Sequence, residues 1–227
     1  MKKYFVTFIC LCAAANGFAQ FSIGAKAGLA VSDFHNGYET KANAGFKAGL
    51  SLQYMFSEWG LQSGVYFKKV GVADSKGFLP SNSSALPLAL SMERRLEYVE
   101  IPLTVVYKYP VDRHVKVEIH AGPYLGIGCG GTGVLDVDGL YTSVGIDAFE
   151  DTRPNDGQYL KDVTFKGANK IDMGLTGGLG VDIYNVNISA NYDWGLSNVY
   201  KEYPINADVK NVKNRAFWVA VAYHFQL

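Results

Sequence analysis

Ten charged residues sit at alternate positions of segments that otherwise read as strands. Lys26, Lys47, Lys68, Lys108 and Lys116 supply positive charge, and Glu100, Glu118, Asp172, Asp182 and Asp193 supply negative charge. Successive strand residues point to opposite faces, so each of these shares a face with polar or glycine neighbours while apolar residues take the other. Brought together on one enclosed surface, such groups must pair, because an unpaired buried charge is very costly. A salt-bridged plug that lets a narrow polar core fold is the simpler reading. A file of titratable groups is also the chemistry of a proton or ion path.

The elements that must position these side chains are eight segments of period two. They run over Phe21–Ser32, Ala42–Phe56, from Trp59 through Lys68, Arg94–Tyr109, His114–Gly130, Lys170–Tyr184, Val186–Leu196 and Arg215–Leu227. In the first, Phe21, Ile23, Ala25, Ala27, Leu29 and Val31 alternate with Ser22, Gly24, Lys26, Gly28, Ala30 and Ser32. Tight turns are expected near Ser57-Glu58, Val111-Asp112 and Asn185. Long loops are expected at Asp33–Lys41, Ala73–Glu93, Gly131–Asn169 and Ser197–Asn214. Strands of this length, joined by short turns at one end and long loops at the other, predict an all-β, eight-stranded antiparallel up-and-down transmembrane β-barrel. An interior of that size is just wide enough for side chains to fill it. Inward glycines such as Gly24, Gly49, Gly64 and Gly178 make room for long neighbours.

Aromatic residues test the same reading independently. On the turn side, Phe21, Tyr54, Phe56, Trp59, Tyr107, Tyr109, Tyr223 and Phe225 fall on the apolar face, and Phe46, Phe67, Trp194 and Phe217 do so on the loop side. Ala, Leu, Val and Ile hold the middles. Strand preference explains the number of aromatics, but two bands are the girdles of a membrane barrel.

The first residues read as an export signal. Lys2 and Lys3 precede a short apolar run, Tyr4–Ala15, and Gly17-Phe18-Ala19 predicts cleavage before Gln20. The expected organisation is a signal peptide over 1–19 and one barrel domain over 20–227. Cys10 and Cys12 would leave with the leader, and Ile9 and Leu11 before them disfavour a lipoprotein site. Cys129 then stands alone on the lipid-facing side, with no internal disulfide. Without Lys2 and Lys3, 19 basic residues face 21 acidic ones, a balance that argues against a nucleic-acid partner. The expected address is the outer membrane of a Gram-negative bacterium. The expected partners are outer-membrane lipid and lipopolysaccharide, the barrel-assembly machinery during insertion, and an unidentified protein or ligand at the loops.

Catalytic constellations are missing from the sequence. Acyl transfer on lipid needs a nucleophile beside a base. His120 and His224 point inward as core groups, His114 falls in a turn and His35 in a loop, and none shares a strand face with a serine at dyad spacing. Gly128-Cys129-Gly130-Gly131-Thr132-Gly133 lacks the lysine of a phosphate loop and reads as a flexible strand end. Asp136, Asp138, Asp147, Glu150, Asp151 and Asp156 miss calcium-loop spacing. No catalytic residue, cofactor or metal is therefore expected, and the protein is expected not to be an enzyme. In the longest loop, Tyr141, Phe149, Tyr159 and Phe165 either anchor a binding partner or pack the loop on itself.

Tyr98-Val99-Glu100-Ile101-Pro102-Leu103 resembles a hallmark strand of the PorT-like outer-membrane β-barrel family of Bacteroidetes. Gly122-Pro123-Tyr124-Leu125-Gly126, Tyr192-Asp193-Trp194-Gly195-Leu196 and Ile23-Gly24-Ala25-Lys26-Ala27-Gly28-Leu29 are similar to further segments of it. The resemblance covers nearly all of the mature chain. It implies a porin-like, eight-stranded barrel of the OmpA/OmpX type. Some members assist protein secretion, but the matched residues lie in strands and name no partner. The expectation is thus a non-enzymatic barrel with a filled polar lumen and recognition loops, supporting secretion or envelope integrity. A narrow solute channel and a lipid-modifying enzyme are the alternatives. A soluble lipocalin-type barrel would need its apolar face turned inward.

Overall fold

The computed structural model describes residues 19–35, 41–78, 89–137, 142–151, 167–199 and 212–226. Its strands are β1 (Ala19–His35), β2 (Lys41–Phe56), β3 (Trp59–Phe78), β4 (Ala89–Pro110), β5 (Val115–Val137), β6 (Thr142–Asp147), β7 (Ile171–Ile183), β8 (Val186–Asn198) and β9 (Lys213–Gln226). Eight of them form a closed antiparallel barrel in the order β1-β2-β3-β4-β5-β7-β8-β9. Closure is made by β1 against β9, in unbroken register from Ser22↔Gln226 to His35↔Lys213. Except for Ala19, the expected leader lies outside the described residues.

The faces fall as the alternation requires. Leu29 and Leu50 are 78% and 64% exposed on the outside, while Lys47, Lys68, Glu100 and Glu118 are buried within. A soluble barrel would reverse this, so the lipocalin reading fails on side-chain direction. The outer aromatics are banded. At the turn end, Trp59 meets Tyr107 at 4.8 Å and Tyr223 meets Phe225 at 4.7 Å between ring centres. At the loop end, Phe46 meets Phe67 at 5.8 Å, and Trp194 and Phe217 stand exposed.

Local geometry explains the tight ends. Phe56↔Trp59 and Ile183↔Val186 each close a two-residue turn. Such turns need positive φ, which Ser57 (60°) and Tyr184 (55°) adopt.

The loop end departs from expectation. Ala73–Phe78 and Ala89–Glu93, expected as loop, continue the β3–β4 ladder. Gly131–Val137 continues β5, and β6 pairs beside it as a ninth strand outside the barrel. His35 ends β1 instead of lying in a loop. The sheet β3-β4-β5-β6 therefore rises past the barrel wall. Register shifts at Ala42/Phe46, Val72/Ser75, Glu97/Tyr98 and Trp194/Asn198 all lie toward this end. Bulges add twist and bend strands, so they mark where the wall gives way to the extension.

Candidate functional site

The charged side chains form layers across the lumen. In the central one, Lys68 Nζ contacts Glu100 Oε2 at 3.0 Å and Asp193 Oδ2 at 2.8 Å. Lys47 Nζ contacts Asp193 Oδ2 at 3.3 Å and also pairs with Glu100. The four groups close a ring in which each ammonium touches both carboxylates. Lys47 and Lys68 are direct cross-strand neighbours on β2 and β3, an arrangement that repels unless carboxylates intervene. Asp193 also accepts hydrogen bonds from Thr176 at 2.7 Å and Trp218 Nε1 at 3.2 Å. The indole of Trp218 lies under the ammonium groups of Lys26 and Lys47, at 4.7 and 4.2 Å from its centre.

Toward the turns, Lys108 Nζ joins Glu118 Oε2 at 3.2 Å to Asp182 Oδ2 at 2.6 Å. Asn187 donates to Asp182 at 2.6 Å. Between the two layers, His120 Nδ1 faces Glu118 Oε1 at 3.0 Å and Nε2 faces Asn191 Oδ1 at 2.9 Å. The Asn191 amide nitrogen donates to Ser189 and to the Trp218 carbonyl, which fixes its oxygen toward His120 and Lys26. The ring of His120 thus bridges Glu118 and Asn191. Four buried lysines face five inward carboxylates among the described residues.

Toward the loops, Asp172 accepts from Ser197 at 3.0 Å, Asn214 at 3.2 Å and Tyr124 at 3.3 Å. Above it lies an apolar lid. Val70, Leu96 and Tyr98 from the wall pack with Ala148, Phe149, Ala168, Val199 and Val212. Phe149 stands edge-on to Tyr98 with centres 5.5 Å apart. It lies over Gly128, where a Cβ would come within 2.5 Å of the ring. Asp147 and Asp151, from the acidic run, accept backbone N–H groups of Phe149, Glu150 and Gly167 and so shape the lid.

Nine of the ten expected network residues are buried together. Lys116 is the correction, being exposed at the turn-side mouth. It stands one row nearer the turns than Lys108, where water solvates it. Its cross-strand neighbour Asp182 is already engaged by Lys108 and Asn187. Trp218 belongs to the network although an aromatic on the polar face broke the alternation that pointed to it. Its even position beside Ala216, Ala220 and Ala222 was the available signal. The lid escaped because its members come from separate segments with no shared period. Phe149 is buried in the lid, so it packs the loop on itself, while Tyr141, Tyr159 and Phe165 lie outside the described residues.

A barrel with an apolar outer face, aromatic bands and a charged, filled interior is matched by the family model for the outer membrane protein beta-barrel domain, over residues 18–201. The chain belongs to this family. Its location is therefore the outer membrane. Among solved structures, it is similar to Neisserial surface protein A at 18% identity and a TM-score of 0.41, with 91% of this chain and 99% of that one covered. It is similar to Ail of Yersinia pestis at 16% identity and a TM-score of 0.42, covering 92% and 99%. A major outer membrane protein of Thermus thermophilus aligns at 15% identity and a TM-score of 0.45, covering 91% and 99%. No curated protein matches the sequence.

Proposed function

We propose that this outer-membrane barrel is a non-conducting, non-enzymatic platform that holds recognition elements above the cell surface. One observation carries the reading: the ring of Lys47, Glu100, Lys68 and Asp193 crosses the lumen beneath an apolar lid. The space beside the ring is about 20 Å³, room for a single water. The β3–β6 sheet beyond the wall offers the surface for a protein or ligand partner. Lipid and lipopolysaccharide cover the apolar exterior, and the barrel-assembly machinery inserts the chain. A role in secretion or envelope integrity enters the proposal through the resemblance to the PorT-like family alone, whose matched residues lie in strands and name no partner. Against lipid modification, His120 is committed to Glu118 and Asn191 inside the lumen, away from lipid.

Planar-bilayer recording of the refolded protein tests the reading. Insertion without discrete conductance steps is expected. Reproducible steps would favour the narrow channel. An altered lipid A mass profile in a deletion strain would favour the enzyme.

A further inference from the structure

Proline has no N–H to give a ladder, so in sheets it is confined to edges, strand starts and bulges. This barrel carries two prolines inside its wall, Pro102 in β4 and Pro123 in β5. The β3–β4 ladder passes from Ser63↔Leu103 to Tyr66↔Glu100, and the β4–β5 ladder passes from Pro102↔Tyr124 to Val105↔Ala121. Register does not change across either gap, so neither is a bulge. In those registers Pro102 stands opposite Gly64, and Pro123 stands opposite Leu103. The carbonyls of Gly64 and Leu103 therefore lack their ladder donors, and β4 is short of one bond on each flank at adjacent residues. From this geometry we infer that the wall has a built-in seam at Pro102 and Leu103, and that its local opening draws Glu100 away from Lys47 and Lys68.

The seam lies between the aromatic bands, with Trp59↔Tyr107 toward the turns and Phe67↔Val99 toward the loops. Lipid offers no substitute donor at that depth. Two hydroxyls stitch β3 to β4 instead. Ser63 Oγ donates to the Pro102 carbonyl at 2.8 Å, and Thr104 Oγ1 donates to the Gln62 carbonyl at 3.3 Å. Ser63 shares the outward parity of Leu61 and Val65, while Thr104 is buried in the lumen, so each face of the wall has one latch.

Opening at this point reaches the charge ring. Glu100 precedes Pro102 by two residues and shares its inward row, so a shift of β4 moves the carboxylate that both lysines hold. Pro102 and Thr104 also border the space of about 20 Å³ that Lys47 lines, which leaves β4 room to move there. Local opening draws on the segments with the fewest bonds. The β1–β9, β5–β7 and β7–β8 ladders run without a gap, which singles out the β3–β4–β5 wall.

The test is amide exchange by NMR on the full mature chain refolded in detergent micelles. The amides of Gly64, Leu103 and Thr104 should exchange about tenfold or more faster than those of Ala27 and Val221 on the unbroken β1–β9 ladder, for two absent bonds. Pro123→Ala supplies an N–H to the Leu103 carbonyl and should slow the seam about fivefold, the contribution of one hydrogen bond. Ser63→Ala removes the outer latch and should speed it by about as much. Exchange of the Lys47 and Lys68 ammonium protons with water should fall in the first variant and rise in the second. Seam amides as protected as Ala27 and Val221, or unchanged by Pro123→Ala, would overturn the seam. Ammonium exchange that ignores both variants would overturn its link to the ring. These readouts are separate from the conductance that tests the platform reading.

Discussion

Lys68 on β3 reaches Asp193 on β8 at 2.8 Å, and those strands stand on opposite walls of the barrel. Ladder hydrogen bonds link only neighbouring strands, so this pair ties the walls together directly. Removing one member leaves a buried charge without its partner. Asp193→Ala and Lys68→Ala should therefore each cost about 3–5 kcal/mol. Urea unfolding in detergent, followed by loss of heat-modifiable gel migration, measures the effect.

Lys108 and Lys116 give a contrast within one strand pair's reach of Asp182. Lys108 is bonded to two carboxylates and Lys116 is exposed. Lys108→Ala should destabilise by about 3 kcal/mol or more, whereas Lys116→Ala should stay within about 0.5 kcal/mol of wild type. The same unfolding assay separates them. Equal effects would return Lys116 to the network.

The outer face predicts a penalty of a different kind. Leu50 stands mid-strand, paired with Ala25 and Val65 and directed outward. Leu50→Arg should cost about 2–4 kcal/mol in a bilayer, the range for a cation near the midplane of a lipid-facing barrel wall. Unfolding from vesicles tests this, and a neutral outcome would mean that the residue does not face lipid.

His120 bridges Glu118 and Asn191 through its two ring nitrogens. His120→Ala leaves both buried partners short of a hydrogen bond and should cost about 1–3 kcal/mol. Urea unfolding in detergent reads the loss, and a neutral outcome would mean that the ring does not join the two.

The lid and the ring block the lumen in series. Phe149→Ala removes the lid's central ring yet should leave the protein silent in planar bilayers, since the charges below remain. Adding Lys68→Ala and Asp193→Ala removes a balanced pair, leaves Lys47 with Glu100, and should produce small conductance steps. Steps from Phe149→Ala alone would show that the lid is the sole barrier.

Alternation made the barrel legible because a strand with lipid on one side and a packed lumen on the other admits few exceptions. Lys47, Lys68 and Glu100 were readable as inward, and Leu29 and Leu50 as outward, from position parity alone. Pairing was not readable. Which lysine takes Asp182 depends on depth in the barrel, and parity treats Lys108 and Lys116 alike. Beyond the membrane one face no longer has to be apolar, so Ala73–Phe78 and Gly131–Val137 lost the pattern while keeping the ladder. The lid unites Val70 and Leu96 with Phe149, Val199 and Val212 across long separations, which no local period can reveal.

The most direct test of the plugged lumen is a double-mutant cycle on Lys68 and Asp193, with Lys68→Ala, Asp193→Ala and the double variant unfolded under one set of conditions. A coupling above about 1.5 kcal/mol is predicted, with the double variant more stable than the sum of the single losses implies. Additivity within about 0.5 kcal/mol would contradict the account, because the opposite walls would then not be joined through these two side chains.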